Sequence, residues 1–408
     1  MEKSPAQPRD RIRRRVLLEG AAALAAAGTA LFAAAPAGAQ PRSNAPPIKA
    51  RAAGAMFAYV GAFTTPERKG HGDGIHVYRI DPVSGNWTQV QQVPLVNPSF
   101  LAVDHAQRFL YSVHADLDEV SAYAIDQASG RLTPLNRQSC GGKNPVHLAV
   151  DATNRFIVTA NYGAGSVGVV PINEDGNLGT RTDLVSLPGE PGPNRKEQAS
   201  SHPHDCPFDP AGHFILVPDK GLDRVFTFKL DSSSGKLAPA DPPFVATREG
   251  AGPRHIAFHP SLPIAYVIDE LDSTVTTYRY DPARGALQPV QVVPTAPSSF
   301  TGNNTGAEVA VAPSGRFVYG SNRGHDSIVI FSVDRAAGTL TPVGWEPTQG
   351  KTPRFFTLDP AANFLYAANQ DSDSIVTFRV NKATGKLAPT GQTVKVGSPV
   401  TIVFAGTL

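Results

Sequence analysis

An internal repeat constrains this chain more than any other feature. Six segments lie over one another: NPSFLAVDHAQRFLYSVHADLDEVSAYAID from Asn97, NPVHLAVDATNRFIVTANYGAGSVGVVPIN from Asn144, HPHDCPFDPAGHFILVPDKGLDRVFTFKLD from His202, GPRHIAFHPSLPIAYVIDELDSTVTTYRYD from Gly252, GAEVAVAPSGRFVYGSNRGHDSIVIFSVD from Gly306 and TPRFFTLDPAANFLYAANQDSDSIVTFRVN from Thr352. Most continue through a Gly-containing turn into a phrase such as GRLTPL, GKLAPA or GTLTPV. Self-similarity at a fixed period means that one supersecondary unit is stacked many times. Each unit here reads as four short strands. Asp-Pro or an equivalent follows the first, a polar cluster the second and a Gly-containing turn the third. Four antiparallel strands every ~50 residues form a β-propeller blade, whose radial packing buries both faces and leaves few edges exposed.

The chain ends complete the ring. FAYVGAF (57 to 63), GIHVYRID (74 to 81) and NWTQVQQV (86 to 93) match the second, third and fourth strands of a unit, and SPVTIVF (398 to 404) matches the first. One C-terminal and three N-terminal strands make a seventh blade, so the sequence predicts an all-β, seven-bladed propeller of four-stranded antiparallel blades over residues 56–408. Composition agrees: Gly and Pro number 37 each in 408 residues and Met only 2, which suits short strands joined by turns. The net charge of +2 is spread along the chain, so there is no basic footprint for nucleic acid.

The first residues read as processing, not fold. RIRRRVLLEGAAALAAAGTALFAAAPAGAQ runs from arginines through an apolar Ala/Leu stretch to Ala37-Gly38-Ala39, the order of an export signal with cleavage after Ala39. Arg13-Arg14 followed by Arg15-Val16-Leu17-Leu18 resembles the twin-arginine signal of bacterial export. Residues 1–39 are therefore expected to be a leader and 40–55 a disordered linker. The mature protein is expected to be periplasmic or secreted, monomeric and without a membrane span. Cys140 and Cys206 are the only cysteines and are expected to be free buried thiols.

Blade topology then sorts residues by face. If the end where each innermost strand begins is the top, the loops after the second strands meet those starts around the channel mouth. The third aligned column reads Ser99, Val146, His204, Arg254, Glu308, Arg354 and Val400, and the next adds His147, Asp205 and His255. The top loops supply His114, Asn161, Tyr162, Asp219, Lys220, Asp269, Glu270, Asn322, Arg323, His325, Asn369 and Gln370. The two longest connections, LPGEPGPNRKEQASS before His202 and APSSFTGNNT before Glu308, also lie at this end, and long loops in a compact repeat tend to carry function. Arginines, histidines and carboxylates on one solvated rim suit an anionic ligand held by guanidinium forks beside a titratable group. A plug of salt-bridged Arg254, Arg354 and Glu308 is the bland alternative. A metal at His202-x-His204 lacks further ligands, because Asp205 alternates away on a regular strand. His202 is expected to cap the site and His204 to do acid/base work.

The motifs PNRKEQASSHPH, DKGLDRV, GAGPRHIAFHP, DELDSTV, SNRGHDSI and ANQDSDSIV resemble, in order, those of the seven-bladed propeller lactonases, a family that includes 6-phosphogluconolactonases and 3-carboxy-cis,cis-muconate lactonising enzymes. The resemblance spans residues 56 to 408. It implies that His204, Arg254, Glu270 and Arg323 form the catalytic group, without metal or other cofactor, acting on a small-molecule lactone. His202, His255, Glu308, His325, Arg354, Asn369 and Gln370 are expected to bind substrate. Either Glu270 or His204 is the base. A cycloisomerase on the same group and a non-catalytic scaffold are the alternatives. An export signal argues against a cytoplasmic sugar phosphate as the substrate.

Overall fold

The computed structural model describes residues 56–81 and 83–406, which form seven antiparallel sheets. The predicted leader and linker lie outside the described residues. Apart from two single turns of 3₁₀ helix, Pro66–Arg68 and Gln370–Ser372, the described regular structure is all strand. We number the blades from Pro98, so that blade 1 comprises Pro98–Val103, Phe109–His114, Glu119–Ile125 and Leu132–Ser139, from the axis outward.

Blade 7 has the expected mixed origin. Its innermost strand Pro399–Gly406 pairs antiparallel with Met56–Ala62, from Met56 opposite Gly406 to Ala62 opposite Pro399, and Gly74–Ile80 and Trp87–Pro94 follow outward. Innermost strands of neighbouring blades lie side by side around the axis, blade 7 touching both blade 6 and blade 1. Seven hydrophobic clusters fill the seven gaps between blades. Phe57 and Tyr59 of blade 7 meet Leu110 and Tyr123 of blade 1, for example, and Met56 and Ile402 meet Phe364 and Tyr366 of blade 6. Because both faces of a blade are covered, its second and third strands are almost wholly buried, as in FLYSVH and EVSAYAI. The outermost strand LTPLNRQS is mostly exposed or half-buried.

Blade 3 departs from the expected four strands. Its sheet contains only Ile215–Asp219, Arg224–Asp231 and Lys236–Ala246, and the innermost segment is held by isolated bridges from Pro203 to Asp219 and Phe208 to Ile215. Pro203 and Pro207 lack the N–H that a regular ladder needs. The segment carrying His204 is therefore irregular, and strict alternation does not govern it. Both cysteines are free and buried.

Candidate active site

Six blades share an irregularity at the top of the innermost strand. Pairing with the second strand slips between Pro98 and Phe100, Pro145 and His147, Pro253 and His255, Gly306 and Val309, and Pro353 and Phe355, and Val400 is the extra residue opposite Gly61 and Ala62. A β-bulge inserts one residue and re-aims its side chain. The extra residues here are Ser99, Val146, Arg254, Arg354 and Val400, with Ala307 and Glu308 sharing the place in blade 5. His204 holds the equivalent place in blade 3, its N–H donating to the Pro218 carbonyl at 2.9 Å. All of this column except Glu308 lines one cavity, together with Phe100, His255 and Phe355. The free space in it is about 10 Å³, room for roughly one water.

Above this neck, Glu270 gathers three cations. Its Oε2 lies 3.1 Å from Arg254 Nε and 3.1 Å from Arg323 Nη2, and Oε1 accepts from Lys220 Nζ at 2.9 Å. The Arg254 Nε and Arg323 Nε hydrogens have no aligned acceptor among the described residues. Backbone carbonyls also accept from the two forks, Ala307 from Arg254 Nη1 and Gly306 from Arg323 Nη2. Burial alone would raise the Glu270 pKa, but Arg323, Lys220 and Arg254 outweigh it and hold the carboxyl far below its ordinary range. Lys220 also donates to Glu197 Oε2 at 2.9 Å. Burial opposes the lysine's charge, and Glu270 and Glu197 sustain it. Glu197 sits in the long loop before blade 3, which is pinned by Gln198 donating to the Lys220 carbonyl and Asp223 Oδ1.

Histidines occupy the other side of the neck. His255 Nε2 lies 3.3 Å from His204 Nδ1, and His255 Nδ1 sits 3.1 and 3.0 Å from the two oxygens of Glu308. Burial, then Arg254, His255 and Arg354, keep the His204 pKa well below its ordinary value, so the ring is a neutral imidazole. Burial pushes Glu308 the other way, up to about 8, against the pull of Arg254. Alongside, His147 Nε2 contacts Asp205 Oδ1 at 3.0 Å, and Asp205 Oδ2 accepts from Ile256 N–H. Cys206 Sγ lies 3.3 Å from His147 Nδ1, but burial holds this thiol protonated.

The predicted residues thus divide. His204, Arg254, Glu270 and Arg323 converge, with Arg354 beside them. The rim is not solvated as expected: His204 is 4% exposed, Arg254 2% and Glu270 8%. The alternative plug pairing is absent among the described residues, since Arg254 pairs with Glu270 and Glu308 with His255, while Arg354 stacks over Phe63 and has no ion-pair or hydrogen-bond partner for its guanidinium among them. Asn369 is tied into the fold. It is fully buried and donates to the Thr348 carbonyl, as Asn322 does to Thr295, fastening the loop that enters each blade. The side chains of His325 and Gln370 bond locally, to Ser327 Oγ and Asp371 Oδ1. Glu308 lies behind His255 instead of facing the cavity. His202 stacks on Tyr162 with ring centroids 4.3 Å apart, flanking His204 as a cap would. Glu197 was missed as a site partner, although the long 187–201 connection and its PNRKEQASSHPH motif both contain it; Tyr162 was placed at the channel mouth without a role. Among the described residues no group of three or more His, Cys, Asp or Glu is disposed to hold a metal ion.

Residues 57–404 match the model of a family described as lactonase, 7-bladed beta-propeller. The chain belongs to that lactonase family. It is 38% identical over 312 residues to the 6-phosphogluconolactonase of Bacillus subtilis (strain 168), covering 74% of this chain and 85% of that one. A 6-phosphogluconolactonase of Formosa agariphila is 34% identical over 311 residues, covering 74% and 86%. Among solved structures, a periplasmic gluconolactonase of Pseudomonas aeruginosa superimposes with a TM-score of 0.81 at 31% identity, over 86% of this chain and 99% of that one. These three relatives thus bear the names of lactone-hydrolysing carboxylic ester hydrolases.

Proposed function

We propose that the protein is an exported lactonase that hydrolyses a small anionic or polyhydroxy lactone at the channel mouth, without a metal ion. The observation that carries this reading is the neutral His204 ring beside Arg354, a guanidinium with no ion-pair or hydrogen-bond partner among the described residues. Burial, Arg254 and Arg323 all disfavour charge on Arg354, so an anion arriving there relieves mutual repulsion. His204 accepts a proton from water, the water attacks the ring carbonyl, and Arg254 faces the developing oxyanion. Glu270 is a poor base because three cations stabilise its charge, and its role is to hold Arg254 and Arg323 in place. Those cations would also repel a metal ion.

Export is supported by the leader-like residues 1–39 and by the likeness to a periplasmic gluconolactonase. The test is hydrolysis by the purified mature protein of glucono-δ-lactone, 6-phosphogluconolactone and a carboxymuconolactone, before and after exhaustive chelation. Turnover of at least one, unaffected by chelation, is expected. Absence of hydrolysis above the spontaneous rate on all three overturns the reading, and loss on chelation with recovery on one divalent ion overturns its metal-free part. Arg13→Lys with Arg14→Lys should abolish recovery of the protein from the periplasmic fraction.

A further inference from the structure

Glu308 and His255 have no place in the hydrolysis as drawn so far, yet they form one line with His204. Glu308 Oε2 has no hydrogen bond of good alignment, Oε1 accepts from Val309 N–H, and His255 Nδ1 lies between the two oxygens. His255 Nε2 then meets His204 Nδ1 at 3.3 Å, and His204 borders the cavity. A buried imidazole cannot act as a base by becoming imidazolium beside Arg254 and Arg354 unless the proton has somewhere to go.

We propose that Glu308, His255 and His204 form a proton relay in which Glu308 is the store. In one setting Glu308 is a carboxylate, His255 donates to it from Nδ1, His204 donates from Nδ1 to His255 Nε2, and His204 Nε2 is a bare acceptor at the cavity. When His204 Nε2 takes a proton from the attacking water, the His204 Nδ1 proton passes to His255 Nε2 and the His255 Nδ1 proton to Glu308. One proton enters, one is stored, and both rings remain neutral. Collapse of the tetrahedral adduct reverses the order: His204 Nε2 gives its proton to the departing ring oxygen and Glu308 is again a carboxylate. His255 and Glu308 are positioning residues in this scheme, since neither needs to touch substrate.

The surroundings favour such a store. His204 faces Arg254, His255, Arg354 and Lys220, and His255 faces Arg254, Asp205, Arg354, Glu270 and the His147 ring. Glu308 faces His255, Arg254 and Asp205. Burial, then Arg254, holds His255 down to about 3, whereas burial lifts Glu308 to about 8. The carboxyl is thus the group on which an extra proton rests. The base-competent setting needs Glu308 ionised, so turnover rises as pH increases through the Glu308 value.

The relay rests on the lactonase reading, and the test separates the two. The pH dependence of kcat and KM is measured for wild type, Glu308→Gln and His255→Asn, and the imidazole tautomers are followed by ¹⁵N NMR of histidine-labelled protein from pH 6 to 10. The amide of Glu308→Gln keeps the shape but cannot store the proton, so kcat should fall about 10²- to 10⁴-fold with KM little changed and the rising limb lost. His255→Asn cannot span to His204 and should fall similarly. In wild type the proton on His204 should move from Nε2 to Nδ1 as pH rises, and in Glu308→Gln it should not. A wild-type pH profile in Glu308→Gln, or an NMR tautomer that ignores pH in the wild type, overturns the relay. A tautomer switch in a protein that hydrolyses no lactone overturns the lactonase reading and leaves the relay standing.

Discussion

At Glu270 one carboxylate answers three cations in a place almost closed to water, and the consequence is stability as much as catalysis. Glu270→Gln would leave Lys220, Arg254 and Arg323 facing one another, and removing one partner of a buried pair costs about 3–5 kcal/mol. Calorimetry should therefore show a clearly lowered Tm together with lost turnover, and an unchanged Tm would count against the cluster. The half-exposed pair of Arg137 and Glu119, 3.6 Å apart, makes the comparison, since Glu119→Gln should change stability by less than about 1 kcal/mol. The pH signs of the two site carboxylates are opposite. The depressed Glu270 contributes stability that is full above the ordinary carboxylate value and is lost only as pH falls through its much lower folded value. The raised Glu308 favours the fold below the ordinary value, and that contribution is lost as pH rises through about 8. Glu308→Gln should consequently flatten the decline of Tm between pH 6 and pH 9, and thermal melts across that range that parallel the wild type would refute the assignment. Sequence places both residues at the channel mouth. It does not say which one the cations reach, because that depends on the side chains meeting across the gaps between blades.

At the scale of the element, the bulge is what turns a strand into part of a site. Five blades enter it through a left-handed residue followed by proline: Asn97, Asn144, Gly252, Thr352 and Ser398 all have positive φ, from 41° to 64°. Asn and Gly tolerate that conformation, whereas a β-branched residue is an outlier there. Thr352→Asn, which copies the equivalent positions Asn97 and Asn144, should relieve part of a cost of roughly 1–2 kcal/mol. The hydroxyl bond to Asp371 that it loses lies at an exposed surface. A Tm raised by a degree or more is expected, and a lowered Tm would show that the hydroxyl matters more than the backbone. A second repeated device latches blade to blade. The hydroxyls of Tyr59, Tyr266 and Tyr319 donate to the carbonyls of Gly130, Gly338 and Gly385 in the next blade, at 2.9, 2.8 and 2.9 Å. Gly385 is required there, since its φ is +73° and a Cβ would stand 2.4 Å from the Phe317 ring. Tyr319→Phe leaves a buried carbonyl unpaired and should cost about 1–3 kcal/mol in denaturant titration, with no effect expected if water reaches the carbonyl. The strands and turns were legible because Asp-Pro turns or their equivalents and apolar runs recur in every unit. The bulge was not, since a one-residue slip changes pairing without changing residue type. Blade 3 gave its own warning in Pro203 and Pro207.

For the molecule as a whole, closure of the ring depends on eight C-terminal residues. That the ends share a blade was readable because each terminal fragment supplies the strands the other lacks. The pairing then explains why the strand is needed. Val400, Ile402 and Ala405 of Pro399–Gly406 are 3%, 1% and 0% exposed, and they pack into the gaps on either side of blade 7. Burying a large aliphatic side chain contributes about 1.5–3 kcal/mol, so losing the strand removes an amount comparable with the whole stability of a domain, on the order of 5–15 kcal/mol. It also bares the hydrogen-bonding edge of Met56–Ala62. Ending the chain after Val396 should therefore give insoluble protein. Insolubility alone does not separate a missing strand from a missing chain end, but the antiparallel register does, because it sets Gly406 directly opposite Met56. A circular permutant that joins Gly406 to Met56 through a short turn and opens the chain between Lys395 and Pro399 keeps every ladder pair of blade 7 while moving both termini. It should be soluble, with the wild-type circular dichroism and a Tm within a few degrees of the protein begun at Met56. If it aggregates as the truncation does, the covalent run through 395–399 closes the ring and the paired strand alone does not.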